Sequence, residues 1–319
     1  MDISVVLATY KRPELLDITL KSFSQMGNDD LKWDLWIVDN AGDPETESVV
    51  KSWQDELPLH YLIETKTGKN NALNRAIPEV QGQLVVFTDD DIIASTDWLM
   101  QMWEGLQRWP DHYVFGGKIT AEWFGKVPFW GVEHPLNLSL FALHSPSEVE
   151  RPYFDDFLPF GPNMAVKRTI FNKGFRFNPN VGPTNSSIYL MGSETEFLKR
   201  LKNAGFLPVF LPRAVVKHQI RADQLSDSWL DKRNFRIGMR YSSQEKNLDK
   251  AMLSCQRFLW KQLAICISEQ YYYKAIGDKI KIFETQCKLW RLRGRIYGER
   301  RFHGVKEKSL IQKIISCSK

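Results

Sequence analysis

"VVFTDDDI" (residues 85–92) runs from apolar residues straight into three consecutive aspartates. Carboxylates set so closely repel one another, and such a cluster costs stability unless a cation lies among them. The apolar run before it lacks the alternation of a half-buried strand and has the pattern of one covered on both faces. The stretch therefore predicts a central strand ending at a cation-binding edge.

Similar runs lie upstream. "ISVVLATY" (3–10), "LWIVDN" (35–40) and "LHYLIE" (59–64) have strand composition. Between them, "RPELLDITLKSFSQM" carries a helical stripe of Leu15, Leu16, Leu20 and Phe23 behind Pro13, and "TESVVKSWQ" is also helical in pattern. A further helix over about residues 69–77 precedes "QLVVFT". This β-α-β-α-β-α-β order predicts an α/β fold with a doubly wound, mostly parallel, Rossmann-like sheet. Ligands of such sheets sit beyond the carboxyl ends of the strands. Thr9, Asp39 and Asp89–Asp91 each follow the last apolar residue of a strand, so they are expected on one rim.

The chain has 319 residues, 43% hydrophobic and 25% charged, as in an ordinary globular protein with a sizeable core. Its net charge of +5 conceals an asymmetry. Residues 1–219 carry 21 Lys and Arg against 28 Asp and Glu, a formal −7, while residues 220–319 carry 22 against 10, a formal +12. The basic part calls for an anionic partner. Cys255, Cys266, Cys287 and Cys317 match neither a zinc pattern nor a compact disulfide framework and read as reduced thiols. "MDISVVLATYKR" has its charges in the reverse order of a signal peptide, and Lys261 interrupts the longest apolar candidate, "FLWKQLAICI". A cytoplasmic protein that does not span a bilayer is expected.

Past residue 110 the alternation weakens. "ITAEWFGKVPFWGVEHP" (119–135) is aromatic and proline-rich, and "LPFGPNMAVKRTIF" (158–171) reads as a strand around a Gly-Pro-Asn bend. "GSETEFLKRLKNAGF" (192–206) is an amphipathic helix with Ser193 and Glu196 spaced as a capping box, and "LPVFLPRAVVKHQI" is a last strand ending near His218. From Trp229 to about residue 300 the pattern is helical, with Ile276, Ile280, Phe283, Cys287 and Trp290 as one near-heptad stripe. Two regions are expected: a domain over 1–225, itself divided near residue 110 into 1–110 and 111–225, and a basic helical region over 226–319.

A lone Asp-x-Asp is weak as a motif, but at the end of a central parallel strand its oxygens suit Mg²⁺ or Mn²⁺, which leave positions open for phosphate. Asp39 fits either a turn cap or an acceptor for ribose or base N–H groups. "TGKNNALNRAI" (67–77) is not a P-loop, because Ile63 stands at the first glycine position and Asn70 at the Ser/Thr position. Neither a GxGxxG nor an HExxH stretch occurs, so dinucleotide oxidoreduction and zincin chemistry have no support.

Taken in order, "TYKRPELL", "IVDNAGD", "GKNNALNRAI", "VVFTDDDI", "FGPNMAVKR" and "GSETEFLKRLKNAG" resemble the successive motifs of glycosyltransferase family 2 over about residues 1–240. The resemblance implies the GT-A fold, with 1–225 a catalytic domain made of a nucleotide-binding half (1–110) and an acceptor-binding half (111–225), and an inverting transfer of a sugar from a nucleoside diphosphate donor of UDP, GDP or dTDP type. It implies that Thr9, Tyr10 and Asp39 contact the base or ribose, that Lys69, Asn74 and Asp90 lie along the nucleotide, and that Asp89 and Asp91 form the metal pair, with Asp91 the direct ligand. The family's acidic pair before a helix is here Ser193-Glu194, a departure that leaves Glu194 as base, since Glu196 is assigned to the capping box. Glu194 also fits a first-turn acid favoured by the helix dipole.

His218 fits either a metal or diphosphate ligand or an ordinary histidine. Asn163, Trp123 and Trp130, with Phe124 and Phe129, are acceptor-side candidates or plain core residues. The basic C-terminal helices suit an anionic membrane surface, packing on the catalytic domain, or a second copy; the first is preferred, because a lipid-linked acceptor would give it a purpose. No nucleic-acid motif accompanies the charge, so no nucleic-acid partner is expected. The expected function is a metal-dependent transfer to a hydroxyl of a glycan or lipid-linked acceptor. The rivals are a membrane-associated nucleotide-binding scaffold and a nucleotidyltransferase, the latter disfavoured because "LATYKRPELL" has no glycine.

Overall fold

The computed structural model describes residues 1–27, 30–154, 157–183, 191–242, 251–252 and 255–302. They fall into two compact units, the described residues of 1–124, 137–183 and 192–220 forming the first and those of 125–136, 191 and 221–302 the second.

In the first unit the elements run β1 (Ile3–Thr9), α1 (Pro13–Ser24), β2 (Trp33–Asp39), α2 (Pro44–Ser52), β3 (Leu59–Ile63), α3 (Lys69–Ala76), β4 (Leu84–Asp89), β5 (Ile92–Ala94), α4 (Trp98–Arg108) and β6 (Val114–Trp123). There follow the short α5 (Leu136–Leu140), β7 (Arg151–Pro152), β8 (Met164–Lys167), the one-turn α6 (Thr169–Asn172), α7 (Ser193–Asn203) and β9 (Pro208–Ile220). Nine strands form one sheet in the order β3-β2-β1-β4-β8-β6-β9-β5, with β7 on β9. The four strands expected from the sequence pair in parallel, whereas β8 and β5 run antiparallel to their neighbours.

The unbroken apolar runs have the cause anticipated for them, since both sheet faces are covered. Ile3, Val5 and Leu7 of β1 pack with Leu16, Leu20 and Phe23 of α1 and with Trp98 and Met102 of α4. Val6 and Ala8 pack on the other side with Ala72, Leu73 and Ala76 of α3 and with Phe197, Leu198 and Leu201 of α7. At roughly 1.5–3 kcal/mol for each fully buried side chain of this kind, the two cores hold the central strands in place. The register then levels their ends, with Thr9 beside Asp39 and Ala8 beside Asp89.

The second unit is built by α8 (Asp227–Ser242), a two-residue hairpin of β10 (Ala251–Met252) and β11 (Cys255–Gln256), α9 (Arg257–Ile276) and α10 (Lys279–Phe302). The stripe expected to run through Ile276 and Ile280 is interrupted: Gly277, at φ 74°, caps α9 in the left-handed region, and Ile276 and Ile280 are exposed. Phe283, Cys287, Leu289, Leu292 and Ile296 form the buried side of α10 instead. Cys255, Cys266 and Cys287 are free, buried thiols, while Cys317 lies outside the described residues. No helix among the described residues is long and apolar enough to cross a membrane.

Helices α8 and α10 meet backbone to backbone. A Cβ on Gly294 would stand 1.9 Å from the carbonyl oxygen of Phe235, and one on Gly238 would stand 2.0 Å from that of Arg291. Backbone cannot yield as a side-chain tip does, so Gly294→Ala is expected to lower stability by about 1–3 kcal/mol. Thermal unfolding followed by circular dichroism checks this; an unchanged melting profile would mean that the two helices separate without cost.

Candidate active site

The aspartates occupy the turn from β4 to β5, and the fold pins that turn from two sides. Thr19 of α1 donates its hydroxyl to the carbonyl oxygens of Asp90 (3.0 Å) and Ile92 (2.8 Å), and the backbone N–H of Gln219 on β9 donates to Asp91 O at 2.9 Å. The three carboxylates thereby diverge. Asp90 is fully buried, accepts from Thr9 Oγ1 at 2.7 Å and pairs with Arg12. Asp91 pairs with Arg12 Nη1 at 2.9 Å and lies 3.4 Å from His218 Nε2. Asp89 accepts from Lys69 Nζ at 2.5 Å.

That ammonium also reaches Glu194, 2.9 Å away, so one cation ties the strand-end acid to the acid in the first turn of α7. The side chains of Lys69, Asp89 and Glu194 are 18, 22 and 20% exposed, open enough to meet a ligand, whereas Asp90 is not. Gly161 makes room for Glu194, because a Cβ there would fall 2.5 Å from its Oε1. Gly68, at φ 124°, starts α3 and donates its N–H to Asn40 Oδ1 at 2.7 Å, which aims Lys69 at the rim.

Four carboxylates thus face Arg12, Lys69 and His218, and the electrostatics follow. Burial pushes Asp90 up to about 6; Arg12 opposes this, while Asp91 and Asp89 add to it. Burial also works against ionised Asp91, but His218 and Arg12 outweigh it and hold that carboxyl below its usual range. Glu194 is lowered to about 2, since Lys69 overcomes the burial penalty, and it is ionised at neutral pH. Burial disfavours the charged forms of Lys69 and His218, yet Asp89 and Glu194 raise the first and Asp91 raises the second. His218 Nδ1 lies 2.6 Å from the carbonyl oxygen of Phe141, so it carries a proton and leaves Nε2 turned toward Asp91.

Several expected site residues have other tasks. Asp39 holds its own loop, accepting from the N–H groups of Ala41 and Asp43 and from the hydroxyl of Tyr61, and is fully buried. Thr9 is buried and orients Asp90, whereas Tyr10 stands 41% exposed at the rim. Asn74 does not line the rim: its amide exchanges hydrogen bonds with the backbone of Phe177, 2.8 Å from the oxygen and 3.0 Å from the nitrogen. Asn163 is likewise an internal brace, donating to the carbonyls of Lys118 and Ala214 and accepting from Trp98 Nε1, with no exposed surface.

Trp130 is no platform for a ligand, being buried and stacked on Phe283 at 4.1 Å within the second unit; Phe129 packs edge-on to the same ring at 6.1 Å. Segment 125–136, expected in the acceptor half, belongs to the second unit. Trp123 meets Phe141 edge-on at 5.3 Å and keeps part of its surface, and neighbouring Phe124 is 40% exposed. The capping box is also corrected. The cap of α7 is left-handed Gly192, Ser193 is already helical, and Glu196 pairs with Arg200 one turn on at 2.8 Å.

Arg12 and Gly161 are the participants that sequence reasoning missed. The signal for Arg12 was present, since a buried acidic triplet demands cations and "YKR" directly follows the first strand end. Gly161 could not be found, because its neighbour Glu194 is distant in sequence.

Residues 4–175, more than half of the chain, match the family model described as glycosyl transferase family 2. The chain belongs to that family and is a glycosyltransferase. It is 25% identical over 245 residues, 76% of its length and 74% of the relative's, to succinoglycan biosynthesis protein ExoM of Rhizobium meliloti (strain 1021). Over 137 residues, 39% of the chain and 42% of the relative, it is 36% identical to the GalNAc(5)-diNAcBac-PP-undecaprenol beta-1,3-glucosyltransferase of Campylobacter jejuni subsp. jejuni serotype O:2. Among solved structures it resembles the mannosyltransferase PcManGT from Pyrobaculum calidifontis in complex with GDP-Man and Mn²⁺, with a TM-score of 0.54, 16% identity, and coverage of 98% of this chain and 78% of that one. The shared fold is GT-A.

Proposed function

We propose that the protein is an inverting, metal-dependent glycosyltransferase that moves a sugar from a nucleoside diphosphate to a hydroxyl of a glycan or lipid-linked acceptor in polysaccharide or glycoconjugate assembly, working at the cytoplasmic face of an anionic membrane. The observation that carries this reading is the bridge made by Lys69, which sets Glu194 within two hydrogen-bond lengths of Asp89. A base beside the donor rim suits a single displacement. As the acceptor oxygen attacks the anomeric carbon, Glu194 takes its proton, and the bond from that carbon to the diphosphate breaks on the opposite face.

Among the described residues, no three His, Cys, Asp or Glu side chains form a metal cage. The donor set nevertheless fits a divalent ion that binds together with a diphosphate. Asp91 Oδ1 is buried and faced only by His218 Nε2, 3.4 Å away, and His218 has its Nδ1–H fixed, so these two would hold the ion once Nε2 has given up its proton, with Asp89 close by. Mg²⁺ and Mn²⁺ take one or two protein ligands of this kind and complete their shell with phosphate oxygens and water. The ion would supply positive charge to the departing diphosphate. Arg12 and Lys69, which neutralise the carboxylates, are placed to turn toward the phosphates. The names of the relatives support the acceptor class, one a protein of succinoglycan biosynthesis and the other acting on an undecaprenol-diphosphate-linked glycan.

Isothermal titration with UDP, GDP and dTDP, each with and without Mn²⁺, tests the reading. Metal-dependent binding of one nucleotide is expected and would identify the donor class; no binding of any would favour the scaffold.

A further inference from the structure

The backbone around Arg12 holds it against the aspartates. Lys11 stands at φ 51°, in the left-handed region that residues with a side chain seldom occupy, and such strain persists where the surroundings fix it, commonly at functional sites. Arg12 follows as the cap residue of α1. Its carbonyl oxygen accepts from the N–H of Leu16 at 3.1 Å, while its side chain makes no cap bond and turns back to the strand ends.

There the guanidinium is divided between two acids. Nη2 pairs with Asp90 and Nη1 with Asp91 Oδ2, and the arginine side chain is 39% exposed where the two carboxylates are 0 and 8% exposed. It therefore reaches from the sealed floor of the rim to solvent. Lys69 is engaged elsewhere, on Asp89 and Glu194. A guanidinium does not shed its proton, so a second cation on Asp91 shares that carboxylate with a fixed positive charge and is repelled by it. A diphosphate changes the balance, because its paired oxygens match the guanidinium fork as a carboxylate does.

We propose that Arg12 ties uptake of the divalent ion to uptake of the donor: in the free protein it occupies Asp91 and excludes the ion, and it yields that carboxylate when a diphosphate offers it another anion. The inference rests on the metal-dependent reading above and adds an order to it. Asp90 keeps Arg12 tethered, so releasing Asp91 takes a turn of the guanidinium and no departure from the rim. An ion without a donor meets an occupied carboxylate, whereas the two together bind cooperatively. The coupling is reciprocal, so the nucleotide gains from the ion the factor that the ion gains from the nucleotide.

Isothermal titration of the full-length protein with Mn²⁺ tests it, with and without the nucleoside diphosphate that the panel above identifies. All arms share one pH, so that the proton given up by His218 is common to them, and are corrected for Mn²⁺ held by the nucleotide in solution. In the wild type the nucleotide is expected to tighten Mn²⁺ binding by about 5- to 150-fold, the usual span of such couplings. Arg12→Gln keeps an amide for Asp90 and loses the charge; it is expected to bind Mn²⁺ alone about tenfold more tightly, with the coupling reduced by the same factor. Arg12→Lys, which keeps the charge without the fork, should fall between the two. Damage to the site lowers affinity, so a gain separates this role from a merely structural one. Wild-type Mn²⁺ binding that is equally tight with and without nucleotide overturns the proposal without recourse to a variant. Arg12→Gln binding Mn²⁺ alone no more tightly than the wild type, with the coupling unchanged, overturns the role of Arg12 and leaves the metal-dependent reading standing. Nucleotide binding with no Mn²⁺ binding in any arm overturns that reading and the proposal with it.

Discussion

Glu194→Gln is expected to lower kcat by about 10²- to 10⁴-fold, the usual contribution of a positioned general base, while donor binding changes little. The amide keeps the size of the carboxylate and an oxygen for Lys69, so the rim geometry is preserved and only the proton acceptor is removed. Glu196→Gln is the control. Its carboxylate is paired with Arg200 on the helix surface, and such exposed pairs contribute roughly 0.3–0.5 kcal/mol, so turnover should remain near wild type. The measurement is release of nucleoside diphosphate from the donor that the titration panel identifies, in the presence of acceptor. If Glu194→Gln retained more than about a tenth of the wild-type rate, the acceptor proton would have to leave by another route, and the lowered pKa of Glu194 would reflect only its ion pair with Lys69.

Asp91→Asn should remove the metal-dependent part of nucleotide affinity. Loss of a partner that merely orients a ligand costs 10- to 100-fold in metal affinity, so loss of a direct ligand is expected to cost at least about 100-fold. The neutral amide also leaves Arg12 and His218 without a carboxylate they both face, and some stability is lost with it. The informative quantity is therefore the ratio of nucleotide affinities with and without Mn²⁺, which a general loss of stability does not change. Asp90→Asn provides the contrast. Asp90 is sealed from solvent by Thr9 and Arg12, so its substitution should lower the melting temperature and leave that ratio intact. A ratio that survives in Asp91→Asn and vanishes in Asp90→Asn would reverse the two assignments.

The two substitutions draw on different layers of information. Hydrophobic patterning alone determined the parallel half of the sheet. A strand covered on both faces has no polar side to write into its sequence, so β1, β2 and β4 stand out as apolar runs, and the polar residue that ends each run marks the ligand edge. Thr9, Asp39 and Asp89–Asp91 were therefore legible on one rim. The neutralising cations were only half legible, since Lys69 lay in a recognisable motif and Arg12 did not.

What each polar side chain bonds to was decided by tertiary structure. Asn74 and Asn163 have the composition of ligand-binding residues, yet they brace backbone about 50 to 100 residues away; a buried backbone amide or carbonyl must find a partner, and sequence gives no sign of which one lies nearby. Trp130 fitted an acceptor-side aromatic and a plain core residue equally well until Phe283 proved to be its stacking partner. The same holds for Glu194. Its place in the first turn of a helix could be read from the chain, but its ion pair with Lys69 and the space left by Gly161 exist only once α7, α3 and the Gly-Pro-Asn bend converge. Local periodicity is written in every short window of the chain, whereas the partner of a charge is set by distances that only folding creates.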